Sequence, residues 1–499
     1  MKRRTVLKGL GLGLGAAAGG LTILGHGRKA RAAWGEWPDH SQGSRLPEGQ
    51  RAKNVLEVFM YGGVNAFDSF YTVPEWGVND QRYLNVYRNE TEQRYEQCGL
   101  GGELSEPFAE DANGVLVHLG PWAKPLRDRP DITARMRVSA TSHYQLAHEG
   151  ANPLMLSGHR LGSPRLSGSG AAIQRHFLEQ AGGARPVPYS WVLFPGVEFP
   201  TDNVQAAAAV GLHPGSATPL GLTLSQNSQL AQLLGRDTVA DYKDAHDAML
   251  AHYVGRYEQQ FRPGGKGKAT RSATRDNYAF ADFARRQATE IDAVLDPSFF
   301  SSIEGSACGT TTNSTPAMQA RLAASLLTRQ SDDARYVQWI DAGLTPHPGA
   351  GHDTHDEHVE YASRNVVHTL EQLVNIINEP GEDDPNKINL DDTLVMITTE
   401  FGRTPYADGP LGLNHWPQGF ATVMIGGPVQ GSSIYGAIDE PTGIGQLFVT
   451  PAQVRMAAML ALGIYPFSSE TFAVGDVLGA EDEASAAALV TERLLGVTL

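Results

Sequence analysis

The chain has 499 residues and a formal net charge of −15; it is 41% hydrophobic and 19% charged, with two cysteines. Residues 1–32 hold seven Lys/Arg and no acid, so the remainder carries −22, a field that repels phosphate backbones and anionic lipid and argues against nucleic-acid binding. Beyond the N-terminus no stretch approaches the about 20 apolar residues of a membrane span, and Cys98 and Cys308 are too few for a disulfide scaffold, leaving one optional bridge.

Residues 1–32 read as an export address. A basic start through Lys8 is followed by a glycine-rich, mildly apolar run over 10–24 and by Ala30-Arg31-Ala32, a small-x-small site that predicts cleavage after Ala32. Arg3-Arg4 followed by Val6-Leu7-Lys8 resembles a twin-arginine signal, whose machinery carries folded proteins to a periplasmic or extracellular location. Five glycines within the run speak against an ordinary helix there.

Apolar and β-branched runs predict strands over 53–59, 136–140 and 189–194. Residues 224–330 read as mostly helical, an insertion interrupted by the basic glycine loop 263–268. Further strands are predicted over 336–340, 393–398 and 420–425, the second almost wholly apolar like a strand buried on both faces. A helix over 357–377 should bury Val359, Val366, Leu370, Leu373 and Ile377. Another over 452–462 has Pro451 at its start and Gly463 past its end. The pattern predicts an α/β fold, a mostly parallel central sheet flanked by helices, with residues 33–499 as one large domain.

In such sheets functional groups gather past the carboxyl ends of strands, and here the unusual residues fall there. After the first strand come Gly62-Gly63, Asn65 and Asp68; after the second come Thr141, Ser142 and His143, the catalytic candidates. Asp353-x-His355 joins a carboxylate to an imidazole at a spacing suited to chelation, with His358 one turn on as a further ligand or its support; the same residues also suit a solvated helix start, where Asp353 or Thr354 caps. Glu400 ends an apolar strand, a costly place for a carboxylate without a cation, a metal or backbone donors. Arg403 either pairs with Glu400 to shape the turn or holds a tetrahedral oxyanion. Thr141 and Ser142 are also ordinary caps, and His148, His159, His347 and His352 carry no individual signal.

At Gly62-Gly63 with Asn65, Ser142-His143, Asp353-Thr354-His355, Glu400-Phe401-Gly402-Arg403-Thr404-Pro405, Asn414-His415 and Gly426-Gly427 the chain resembles the twin-arginine-exported family known as domain of unknown function 1501, grouped with the alkaline phosphatases and sulfatases. That resemblance implies a parallel sheet between helices with one or two divalent ions (Zn, Ca, Mg or Mn) at the strand ends. By chain order it points to Asn65, to Thr141 or Ser142, to Asp353 and His355, and to His415. Apart from the resemblance, part of the acidity of the chain is expected at the strand ends, where Asp353, Glu400 and Asp68 face a cation. Asn65 and Asn414 stand where the family usually has Asp. Each exchange weakens a dication site, and Asp68 is the candidate that compensates.

Three functions are consistent with these residues. One is a metal-dependent hydrolase of small anionic phosphate or sulfate esters, in which ions activate Ser142 or Thr141 and Arg403 stabilises developing charge. Another is a noncatalytic exported protein that binds a ligand or an exported partner on the same fold. The third is handling of a transition metal through residues 352–358.

Overall fold

The computed structural model describes residues 35–76, 104–160, 166–180, 334–344, 352–355, 358–406, 412–440 and 442–499, with shorter stretches between 191 and 328. Residues 1–32, Cys98, Cys308 and the loop 263–268 lie outside the described residues. No helix among the described residues is long and apolar enough to cross a membrane.

The body is one eight-stranded sheet. Its strands in chain order are β1 (Asn54–Met60), β2 (Met136–Thr141), β3 (Trp191–Phe194), β4 (Leu220–Gly221), β5 (Tyr336–Asp341), β6 (Thr393–Thr398), β7 (Phe420–Gly426) and β8 (Ser433–Tyr435). They lie in the order β8-β2-β7-β6-β1-β5-β3-β4, six longer strands with a short one at each edge. Every pairing is parallel except the two made by β7, which runs against both neighbours. The expected mostly parallel sheet is present, and all six predicted strands lie in it.

Register explains the double burial. Leu56 lies between Val395 and Val337, all three on one face, while Val55 lies between Leu394 and Tyr336 on the other. Both faces are covered, so β1, β5 and β6 read as continuous apolar runs instead of alternating. The first face packs on the helix Thr315–Thr328 and on the helix His358–Asn375, which buries Val366, Leu370 and Leu373 with Ile377 just beyond its end. The Val359 side chain lies outside the described residues. The second face packs on the helices Ser169–Gln180, Pro451–Ala461 and Glu483–Leu495. Pro451 opens its helix behind a Thr450–Gln453 capping box, and Gly463 follows with φ +74°, as the Pro/Gly pattern predicts.

Two expectations change. The helix Thr315–Thr328 was counted within the insertion 224–330, but its buried Leu322 and Leu326 belong to the core layer against the sheet. Glu304–Ala307 and Thr310–Asn313, in the same stretch, form an antiparallel strand pair, in keeping with three consecutive threonines that resist helix. The other helical expectations between 224 and 303 fall almost wholly outside the described residues.

A buried ion pair reaches into the sheet. Glu57 on β1 is wholly buried and takes hydrogen bonds from Arg455 (2.5 and 2.6 Å), Thr398 (2.5 Å), Tyr336 (2.5 Å) and Gln338 (2.9 Å). Burial would push its carboxyl up, but Arg455 and these donors hold it below the ordinary value.

Candidate metal centre

Four chain segments leave the carboxyl edge of the sheet and meet. β1 exits through Gly62 and Gly63, both in the left-handed region at φ +113° and +93°. A Cβ on Gly63 would stand 2.8 Å from the Phe401 ring, so this close crossing requires glycine. The turn aims the Gly62 amide at Glu400 Oε1 (2.8 Å), past the end of β6. Beyond Glu400, Gly402–Arg403 pairs antiparallel with His415–Trp416 in the register Arg403↔His415, which brings both side chains to one point.

That point is Asp353. Its Oδ1 lies 2.6 Å from Arg403 Nη2, 3.2 Å from His415 Nε2 and 3.1 Å from His355 Nε2; its Oδ2 lies 3.2 Å from His148 Nε2. His355 Nε2 and His415 Nε2 are 3.1 Å apart. Donor atoms of His148, Asp353 and His415 all fall within 4.8 Å of one another, so these three can hold a metal ion. His355 joins from the exposed side.

The ring orientations suit a cation. His415 Nδ1 is 2.7 Å from the Leu146 carbonyl, so it carries a hydrogen and Nε2 is turned toward Asp353. His148 Nδ1 is 2.9 Å from Glu400 Oε1, the carboxylate–histidine arrangement that orients imidazole ligands. At 3.2 Å, His415 Nε2 and Asp353 Oδ1 need a proton or a cation between them. Ligands about 2.1 Å from one ion stand about 3.0–3.4 Å apart, and the separations of 3.1, 3.1 and 3.2 Å fit that span.

The electrostatics agree. Burial lowers the His148 pKa, but hydrogen bonds and charge from Asp353 and Glu400 outweigh it and push it up to about 9. Asp353 is held far below the carboxylate range despite partial burial, by His148, His415 and Arg403. Burial, with Arg403 nearby, lowers His355 and keeps that ring neutral.

The other expected residues stand elsewhere. Glu400 orients His148 and caps the Gly62 amide. Arg403 pairs with Asp353 instead of with Glu400; it is wholly buried, and it donates to the carbonyls of Gly62, Gly63 (3.2 Å), Leu413 (3.0 Å) and His352 (3.3 Å). Each of its three nitrogens donates to a protein oxygen, which leaves it a poor oxyanion clamp. Asn65 and Asp68 close on each other at 2.6 Å, with Asn65 capping the short helix Ala66–Asp68. His358 is buried against Trp122 and bonded to Thr354. Asn414 accepts from the His415 amide. Of the histidines 352–358, only His355 reaches the cluster.

Among the catalytic candidates, the Thr141 hydroxyl is engaged with Ser139 O (3.2 Å) and Thr422 Oγ1 (2.9 Å) across to β7. The Ser142 hydroxyl makes no hydrogen bond among the described residues. His143 accepts at Nδ1 from the Gln145 amide (3.0 Å) and donates from Nε2 to the Glu400 carbonyl (2.6 Å); burial drops its pKa to about 4, so it is a neutral strut. His148, unremarkable in the sequence, opens the helix His148–Ser157; its place in the segment leaving β2 is the one signal for it. Beside His415 a cleft of about 370 Å³ is lined by Leu146, Tyr406, Trp416 and Gln418 among others.

The family described as Protein of unknown function (DUF1501) matches residues 52–446, a span that contains every residue of the cluster. No curated protein matches the chain.

Proposed function

The chain belongs to the DUF1501 family, and we propose that it is an exported, metal-dependent hydrolase of phosphate or sulfate esters, with an alkaline phosphatase/sulfatase-like fold. The observation that carries this reading is the convergence of His148, Asp353, His355 and His415 at the carboxyl edge of the sheet, where α/β enzymes keep their sites. A divalent ion held there would supply Lewis acidity toward an ester oxygen and toward a hydroxyl or water. Ser142 is the nucleophile, because Thr141 spends its hydroxyl on Ser139 and Thr422. His143 positions the Glu400 backbone and does not move a proton. The cleft beside His415 receives the organic part of the ester, with the Trp416 ring fixed by its bond to the Gly443 carbonyl. Residues 1–32 direct the folded chain through the twin-arginine route to the periplasm or beyond, away from nucleic acid and without a membrane span in the mature chain.

One observation favours a second reading. Each guanidinium nitrogen of Arg403 donates to a carbonyl or to Asp353, so this guanidinium is not offered to a transition state, as in a protein that binds without catalysing. Elemental analysis of the purified chain with a panel of aryl phosphates and sulfates separates the two. The hydrolase reading expects turnover that is lost on chelation, restored by zinc or manganese, and abolished in Ser142→Ala with metal content unchanged. A metal-loaded chain that turns over no ester supports the binding reading.

A further inference from the structure

We infer that this centre takes one ion and not two, of the borderline class of zinc and cobalt, because the Arg403 guanidinium permanently fills the neighbouring cation position. The inference rests on reading the cluster as a metal centre and is independent of ester hydrolysis.

Asp353 is shared by two donor sets of different chemistry. On one side stand imidazole nitrogens, from His148, His355 and His415. On the other stand only oxygens: Asp353 Oδ1 and the carbonyls of Gly62, Gly63, His352 and Leu413. Oxygen cages of that kind suit hard cations such as calcium or magnesium. Here the cage closes on a wholly buried side chain that keeps its charge at any ordinary pH. A second divalent ion at the usual spacing of about 3.5–4 Å from the first would have to displace Arg403.

Among the described residues the other carboxylates expected here already have partners: Glu400 Oε1 takes the Gly62 amide and His148 Nδ1, and Asp68 Oδ2 takes the Asn65 amide. The described donors at Asp353 converge on one point through mostly imidazole ligands, a set that selects zinc, cobalt, nickel or copper over magnesium and calcium. Glu400 is a positioning residue: by accepting from Nδ1 it keeps His148 Nε2 turned toward Asp353.

The test is a titration of the metal-stripped full chain with Co²⁺, followed by visible absorption and equilibrium dialysis, in the absence and presence of millimolar Ca²⁺ or Mg²⁺. One equivalent of cobalt, with a spectrum unchanged by the hard ions, is expected. Two equivalents, or displacement by calcium or magnesium, overturns the inference. Zero equivalents overturns the metal centre itself, whereas one equivalent without ester turnover removes the hydrolase and leaves this inference standing. Arg403→Ala opens the oxygen cage and is expected to gain a calcium equivalent or to recover wild-type melting on adding millimolar guanidinium. Should that variant not fold, Glu400→Gln decides the second part: about 10–100-fold weaker cobalt binding at unchanged stoichiometry is expected, and unchanged affinity removes Glu400 from its positioning role.

Discussion

His415 gives its Nδ1 hydrogen to the carbonyl of Leu146, 2.7 Å away and 269 residues earlier in the chain, and so turns Nε2 toward Asp353 at 3.2 Å. The tautomer is set by a backbone group, which no side-chain substitution can remove. Replacing the ring is therefore the clean test: His415→Ala should lower metal affinity at least about tenfold, with far-ultraviolet circular dichroism unchanged. Dialysis against zinc at fixed free concentration reads the loss, and equal occupancy in variant and parent would take His415 out of the ligand set.

His148 makes the ion-free chain sensitive to alkali. Its folded pKa of about 9 lies above the ordinary histidine value near 6.5. Protonation is thus favoured by folding; the stability it contributes is complete below pH 6.5 and is lost as pH rises through 9. In chelator, the melting temperature should fall between pH 6.5 and 9, by about 1–3 kcal/mol in stability terms. His148→Gln flattens that limb, and so does zinc, which replaces the proton. A parent and a variant with parallel limbs would contradict the assignment.

His143 acts in the opposite direction. Its folded pKa of about 4 lies below the ordinary value, so the unfolded chain takes up the proton first as pH falls. The cost begins near pH 6.5 and is complete below pH 4. His143→Gln, which can still donate to the Glu400 carbonyl, should be about 1 kcal/mol less stable at pH 7.5, with its stability curve crossing that of the parent at about pH 5.8. Urea midpoints at both values check this.

Much of this was legible in the residues. Six apolar runs became the six longer strands because they are short, rich in β-branched and aromatic residues and bounded by turn residues, as suits strands buried on both faces. Asp353, His355 and His415 stand together, as the motifs implied. Three things were not legible. The reversed direction of β7 leaves no mark on a wholly buried run, since FATVMIG packs equally well either way. Arg403 chose Asp353, 50 residues back, over Glu400 three residues back, because two glycines with positive φ turn the Gly62 amide onto Glu400 and the Gly62 and Gly63 carbonyls onto the guanidinium. His148 looked ordinary because its two carboxylate partners are more than 200 residues away.

The Glu57–Arg455 pair in the sheet is the stability counterpart of the metal cluster. Both groups are wholly buried, so removing either leaves the other without its counter-charge in the interior. Glu57→Gln or Arg455→Met should each cost about 3–5 kcal/mol, while the double replacement costs less than the two single ones together. A double-mutant cycle by urea unfolding checks the coupling.

The antiparallel course of β7 also governs when the centre can come into being. Because this strand enters the sheet at the edge where the others leave, the segment just before it, with His415, is the last to reach the cluster. A growing chain thus carries His148 for more than 250 residues before its partner ring is made. The ion must be captured by a nearly complete polypeptide, in whichever compartment that polypeptide finishes folding, and a chain terminated before residue 415 carries an incomplete cage however well its first strands have paired.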